Sequence, residues 1–259
     1  MIDLHSHVLP GIDDGPATLE GSLALARAAV ARGTTTLLAT PHIDHSFGIA
    51  PRTVAPAVRA LRSELAGAEI PLDVLGGGEV AISRLAELSD DDLRAVRLGD
   101  GPYLLVESPH VPTAGTIEPA LFDLQVRGFG VLLAHPERSP VFLRDRERLR
   151  ALVQQGALCS ITAGSLTGKF GRTVRTYALE LLQDGLVHDV ASDAHDDTRR
   201  VPGLAEGLSA AEGDIPGLEA QTDWLTRAAP AAILAGDDLP PRPELPERRT
   251  WRDRFRRAS

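Results

Sequence analysis

Short aliphatic and β-branched runs alternate with longer stretches of helical period along most of the chain. The apolar runs at 2–5, 35–40, 72–75, 103–107, 131–134, 158–161 and 187–191 predict strands. Stretches of amphipathic period predict helices at 18–32, 53–65, 117–127, 146–155 and 174–183, the first ending at Gly33. About seven strands, each followed by a helix, describe a parallel α/β fold. That many units in roughly 240 residues suit a barrel better than an open sheet. From Asp237 the pattern changes to DDLPPRPELPERRTWRDRFRRAS, with four prolines and an arginine-rich end. A single barrel domain over 1–240 is therefore expected, followed by a mobile, solvated tail over 241–259.

Composition narrows the class. The chain has 259 residues, 43% hydrophobic and 24% charged, which excludes a disordered or fibrous protein. With 27 Lys and Arg against 36 Asp and Glu, its formal net charge is −9, so nucleic acid is not an expected partner. The start, MIDLHSHVLP, has no basic or apolar leader, and no apolar run reaches the length of a membrane span. A cytoplasmic location is expected. One cysteine, Cys159, against eight histidines rules out a thiolate cluster and an internal disulfide. Metal chemistry here is nitrogen and oxygen chemistry.

The polar residues at the strand ends carry the chemistry. His5 and His7 form an H-x-H at the first strand, with both imidazoles on one face of an extended segment. His42 follows the second strand, Glu79 the third, Glu107 the fourth and His135 the fifth, and Asp193 and His195 follow the last. A single strand-end histidine or carboxylate is usually a cap or a satisfied polar group. So many at one topological position point instead to a multinuclear site, because the C-terminal ends of parallel barrel strands converge on one face. Histidine with carboxylate suits Mn, Fe or Zn better than Mg.

The segments MIDLHSHVLPGIDDG, TTTLLATPH, GGGEV, YLLVE, LLAHPER, ITAGSLTGKFG and VASDAH resemble the polymerase-and-histidinol-phosphatase (PHP) superfamily. The resemblance is to its bacterial branch of capsular and exopolysaccharide tyrosine-protein phosphatases, over roughly residues 1–240. It implies a distorted (β/α)7 barrel with three divalent ions, manganese first, with iron, cobalt or zinc as alternatives. It further implies one ion on His5, His7, Glu79 and Asp193, and a second on Glu79, Glu107 and His135. The third falls to Asp14, His42 and His195, with Asp13 the alternative to Asp14. Histidinol phosphatases usually carry histidines where this chain has Asp14 and Glu107, which places it nearer the tyrosine-phosphatase branch.

The activity so implied is metal-dependent hydrolysis of phosphotyrosine by a protein-tyrosine phosphatase, a phosphoric monoester hydrolase. Its expected substrate is a bacterial tyrosine kinase controlling polysaccharide export. Arg138 and Arg200 match the arginines that hold the phosphoryl group, with Arg199 an equal chemical candidate beside Arg200. His195 or an aspartate is the candidate proton donor to the leaving group. Two other readings use the same residues: a small-molecule phosphoesterase such as histidinol phosphatase, and a non-catalytic metal-binding partner of the polysaccharide machinery. Oligomerisation is left open.

Several motifs are set aside. A cysteine phosphatase needs arginine six residues after its nucleophile, whereas Ser165 stands six after Cys159. GSLTGKF is one residue short of a P-loop, and Phe170 replaces its Ser/Thr. His45, His110 and His188 read as supporting or surface residues, His45 being the one placed to line the pocket. Trp224 and Trp251 read as core or tail packing. Residues 242–259 hold seven arginines against three acids, so the body carries −13, and three divalent ions would bring the whole chain to about −3.

Overall fold

The computed structural model describes residues 1–109 and 117–246. The strands are β1 (Ile2–Ser6), β2 (Thr36–Ala39), β3 (His42–Ile43), β4 (Asp73–Gly76), β5 (Glu79–Ala81), β6 (Tyr103–Glu107), β7 (Gly130–Ala134), β8 (Leu158–Thr162) and β9 (Asp189–Ala191). The helices that follow β1 to β6 are α1 (Leu19–Ala31), α2 (Val54–Gly67), α3 (Asp90–Ala95) and α4 (Ile117–Val126). Next come α5 (Pro140–Arg144), α6 (Arg146–Gln154), α7 (Ala163–Leu166) and α8 (Arg172–Gln183). The chain then adds α9 (Leu204–Glu212), α10 (Glu219–Asp223) and α11 (Ala229–Ala235). Start signals behave as the residues dictate. Thr18 caps α1 by accepting from Gly21 N–H, and Ser89 with Asp92 forms a capping box on α3.

All strand pairs are parallel, in a three-stranded sheet β1-β2-β4 and a six-stranded sheet β3-β5-β6-β7-β8-β9. The second and third strands read from the pattern each continue past a break, as β3 and β5. Pro41 lies in the first break, and Gly77 and Gly78 in the second. A Cβ on Gly78 would sit 2.9 Å from Ile43 and Val96 side-chain atoms, so only glycine lets the strand turn there. Hydrogen bonds carry the pairing across the breaks, from Gly77 N–H to Ala39 O and from Glu79 N–H to Pro41 O, both 3.0 Å. On the other side β1 meets the end of β9 through Asp193 N–H to His5 O (2.9 Å) and His7 N–H to Ala194 O (2.8 Å).

Both faces of these strands are largely apolar, as buried parallel sheets require, with Asp3, Ser160 and Asp189 among the buried polar exceptions. Leu4, Leu38, Leu105, Leu132 and Leu158 form one cluster, joined by Ile233 of α11. The alternate residues Leu37, Val74, Val106, Leu133 and Val190 belong to a larger cluster that includes helix residues such as Leu25, Leu61 and Leu149. With five leucines on the first face, polar side chains gather beyond the strand ends.

The segment after 236 is anchored where described. Arg242 donates to Val187 O (2.8 Å) and to Gln221 Oε1 (2.9 and 3.0 Å), and its guanidinium lies 4.9 Å from the Trp224 ring centroid. Trp224 Nε1–H donates to Pro240 O (2.9 Å). Residues 241–246, expected to be mobile, thus pack on the body: Trp224 and Gln221 donate to the carbonyls of Pro240 and Pro243, and Arg242 donates back to the body. The remainder of the tail, 247–259 with Trp251, lies outside the described residues, as does His110. Among the described residues no helix is long and apolar enough to cross a membrane.

Candidate metal centre

His5 lies in β1 and His7 just past it, so strand alternation sends both imidazoles the same way. Register sets His42 of β3 beside Glu79 of β5, and Glu107 ends the neighbouring β6. His135 and Asp193 follow β7 and β9 in the left-handed region, with φ of 36° and 52°. A positive φ is uncommon for residues other than glycine, and such conformations cluster at functional sites.

Four donor atoms close into a cage: His5 Nε2, His7 Nε2, Glu79 Oε2 and Asp193 Oδ1. The two imidazole nitrogens are 3.3 Å apart. His5 lies 3.3 Å from Glu79 and 3.6 Å from Asp193, and His7 lies 3.5 Å from each. Two donors sharing one ion at ~2.0–2.1 Å lie about 3–4 Å apart, as each of these pairs does. All four residues are buried. Donor atoms of His5, His7 and Asp193 lie within 4.8 Å of one another, and Glu79 adjoins both imidazoles, a donor set that suits a cation.

Two further groups adjoin it. Asp14 Oδ1 lies 3.2 Å from His195 Nε2, 3.5 Å from His42 Nε2 and 3.8 Å from His7 Nδ1. Glu79 Oε1 lies 2.7 Å from His135 Nε2, and His42 Nδ1 lies 3.1 Å from Glu79 Oε2. Donor atoms of His5, Glu79 and His135 fall within 4.8 Å of one another, and so do those of His42, Glu79 and Glu107. Glu79 is common to both groups, its strand β5 lying between β3 and β6.

Hydrogen bonds fix the imidazole tautomers. His7 Nδ1–H donates to Asp13 Oδ2 (2.7 Å), which turns the lone pair of Nε2 into the cage. His195 Nδ1–H donates to Asp193 O (3.0 Å), leaving Nε2 as an acceptor toward Arg200 Nη1 (2.7 Å). Asp13 and Asp14, alike in sequence, thereby part: Asp13 orients His7 and Asp14 joins the cluster. The Asp13 carboxylate also accepts from Gly15 N–H (3.0 Å), and a Cβ on Gly15 would lie 2.0 Å from His7 O. Sequence reasoning had Asp13 only as a substitute for Asp14; its signal was the paired aspartates before that glycine.

Charge in the cluster is strongly polarised. Burial works against ionised carboxylates, yet His5, His135 and His42 hold Glu79 well below its ordinary range. His5, His7 and Arg200 do the same for buried Asp193. Burial likewise disfavours the imidazolium of His7, but Asp13, Asp193 and Glu79 raise it well above its usual value. His42, also opposed by burial, is lifted to about 10 by Asp14 and Glu79. Protons here occupy a carboxylate-rich centre for which divalent ions compete.

Arg138 Nη1 and Arg200 Nη2 each donate to Asp193 Oδ2 at 2.5 Å. The Arg138 guanidinium also lies 4.4 Å from the Phe170 ring centroid. Arg199, the neighbouring candidate, does not reach the cluster: Asp196 Oδ1 accepts the backbone N–H groups of Thr198 and Arg199, and that turn sends Arg200 inward. His45 pairs with Arg84 (3.3 Å) and Glu87 (3.4 Å) in an exposed position, so it does not line the centre. Cys159 is buried, and burial pushes its thiol well above the ordinary range, as suits a core residue.

Residues 1–234 match the family model for capsular polysaccharide synthesis, CpsB/CapC. The chain is 40% identical over 200 residues to the tyrosine-protein phosphatase YwqE of Bacillus subtilis, covering 75% of this chain and 77% of that one. It is 30% identical over 201 residues to CapC of Staphylococcus aureus, covering 77% and 79%. A solved structure from work on YwqE of Bacillus subtilis and CpsB of Streptococcus pneumoniae, described as unique metal-dependent tyrosine phosphatases, superposes with a TM-score of 0.82 at 35% identity. It covers 96% of this chain and all of that one. With the family model spanning nine-tenths of its length, the chain belongs to the CpsB/CapC family of capsular polysaccharide synthesis.

Proposed function

We propose that the protein is a metal-dependent protein-tyrosine phosphatase. The observation that carries this reading is the cage of His5, His7, Glu79 and Asp193, with Arg138 and Arg200 converging on the outer oxygen of that same Asp193. One ion would be held by that cage, a second by Glu79 with His135 and Glu107, and a third by Asp14, His42 and His195. The ions, manganese first and iron, cobalt or zinc as alternatives, would supply a hydroxide near neutral pH and positive charge for the phosphoryl oxygens. We read the two sheets as one seven-stranded barrel, distorted at the breaks after β2 and β4, which turns every strand end to this face.

The chain's own residues then have distinct tasks. Arg138 and Arg200 spend one N–H each on Asp193, which aims their remaining donors at phosphoryl oxygens. Phe170 supports the Arg138 guanidinium from one side. His195 Nδ1–H donates to Asp193 O, so the lone pair lies on Nε2, where Arg200 or an ion would take it; with an ion there, the leaving phenolate would take its proton from another group. The names of the relatives support a phosphotyrosine protein as substrate, and a tyrosine kinase of capsule or exopolysaccharide synthesis as its source. The reaction would then run in the cytoplasm, where an ATP-dependent kinase makes that substrate.

Metal analysis of protein purified without chelator, run beside a phosphotyrosine-peptide assay, tests the reading. Several ions per chain are expected, with activity lost to chelator and restored by manganese. Metal-replete protein that leaves both phosphotyrosine peptides and p-nitrophenyl phosphate intact overturns it. Faster turnover of histidinol phosphate than of the peptide points to the small-molecule alternative.

A further inference from the structure

A cleft of about 330 Å³ opens directly beside Asp193 and Arg200, walled by the turn at 164–170 and the loop at 199–206. Its charged lining is Arg32, Lys169, Arg199 and Arg200 against Asp193 and Glu206, an excess of cations in a chain of net charge −9. Two of the cations are committed: Arg200 to Asp193 at 2.5 Å, and Arg32 to Glu206 at 2.9 Å. Lys169 and Arg199 have no carboxylate within 4.0 Å among the described residues. Lys169 is the only lysine in the chain, and its ammonium donates to the Arg199 backbone carbonyl, so the two residues share one wall of the cleft. Burial and the neighbouring Arg200 hold that ammonium below its ordinary range. Arg200 and Arg138 repel that ammonium, and an anion entering the cleft relieves the repulsion.

We propose that this cleft binds an anionic side chain of the substrate close in sequence to the phosphotyrosine, a carboxylate or a second phosphoryl group, with Lys169 and Arg199 determining specificity. The proposal rests on the phosphatase reading above. It also gives a role to the GSLTGKF segment, whose likeness to a P-loop is only partial. The cleft shares Asp193 and Arg200 with the candidate centre, so a peptide whose phosphotyrosine reaches Arg200 passes its neighbouring residues across this opening.

The test is kcat/KM on three phosphotyrosine peptides that differ only in the flanking residues: alanine, aspartate, or a second phosphotyrosine. Wild-type protein is expected to favour at least one anionic peptide by about 10-fold, the scale of one charge-assisted hydrogen bond. That preference should shrink as salt rises. Preference for the aspartate peptide assigns a carboxylate, and preference for the doubly phosphorylated peptide alone assigns a phosphoryl group. The double variant K169Q/R199Q should bring the ratio close to one, while K169R retains it; a ratio is insensitive to a general loss of active protein. Equal turnover of all three peptides by wild type, or an unchanged ratio in the double variant, overturns the subsite and leaves the phosphatase reading standing. Failure to hydrolyse even p-nitrophenyl phosphate with metal supplied removes both.

Discussion

Asp13 accepts a 2.7 Å hydrogen bond from His7 Nδ1 and thereby decides which nitrogen of that imidazole faces the cage. The carboxylate is buried with the ring, so the pair is held by geometry as well as charge. Asp13→Asn keeps the shape but can present an amide N–H where an acceptor is required. Metal affinity should fall about 10- to 100-fold, the usual cost of losing a carboxylate behind a ligating histidine. Metal titration followed by activity checks this, and saturating metal should recover most of the turnover. Unchanged metal affinity would remove Asp13 from the support of the site.

Arg200 makes two directional contacts at once, Nη2 to Asp193 Oδ2 at 2.5 Å and Nη1 to His195 Nε2 at 2.7 Å. A lysine cannot reproduce that planar fork. Arg200→Lys should therefore lower kcat/KM for p-nitrophenyl phosphate about 10- to 100-fold, on the scale of one or more charge-assisted hydrogen bonds. Metal content should be retained, because the ligand set is intact. Wild-type kinetics in this variant would show that charge alone, without the fork, suffices.

The difference between these two residues and their neighbours explains what was legible in the sequence. His42, Glu79, Glu107, His135 and Asp193 could be picked out because each closes an apolar run, and parallel strands bring such ends together. Spacing favours Asp14 over Asp13, but the task of Asp13 was not legible, since a turn held by Gly15 N–H decides which one faces His7. Arg199 against Arg200 likewise depends on the N–H groups that Asp196 collects. The breaks at Pro41 and at Gly77–Gly78 were invisible as well, because pairing continues across them while the sheet assignment changes. The last helices, α9 to α11, escaped notice because Gly213, Pro216 and Gly217 follow α9, and α10 passes into α11 through a π turn at Trp224–Ala228 that shifts the apolar period.

Arg242 ties the proline-rich segment to the body through Val187 O, Gln221 and the Trp224 ring. Arg242→Ala leaves a carbonyl and an amide oxygen without their donor and uncovers one face of the indole. A loss of about 1–3 kcal/mol is expected in denaturant unfolding. Faster proteolytic cutting after residue 236 should accompany it, and Arg242→Lys should recover only part. Wild-type stability and wild-type cleavage would show that the segment is held by its prolines alone.

His188 offers a test through pH. Its Nδ1 accepts from Cys159 N–H at 3.1 Å, so the ring is neutral in the fold. Burial first, and then the Arg242 charge, push its pKa down to about 4. The unfolded chain has an ordinary histidine titrating near 6.5. Between those values the unfolded state takes up a proton that the folded state refuses, so stability falls as pH falls. The contribution is fully present above about pH 6.5, and roughly 2 kcal/mol of it is lost by pH 5. Buried Asp3, raised to about 6 by burial despite its hydrogen bonds from Ser192, acts in the opposite direction, so the wild-type curve alone is a sum. The comparison that isolates His188 is His188→Gln, which retains an acceptor for Cys159 N–H and does not titrate. Chemical unfolding of both proteins at pH 7.5 and pH 5, in chelator, should show the gap between them shift by about 2 kcal/mol in the variant's favour at the lower pH. Parallel pH dependence in the two would mean that His188 takes up its proton without disturbing the fold.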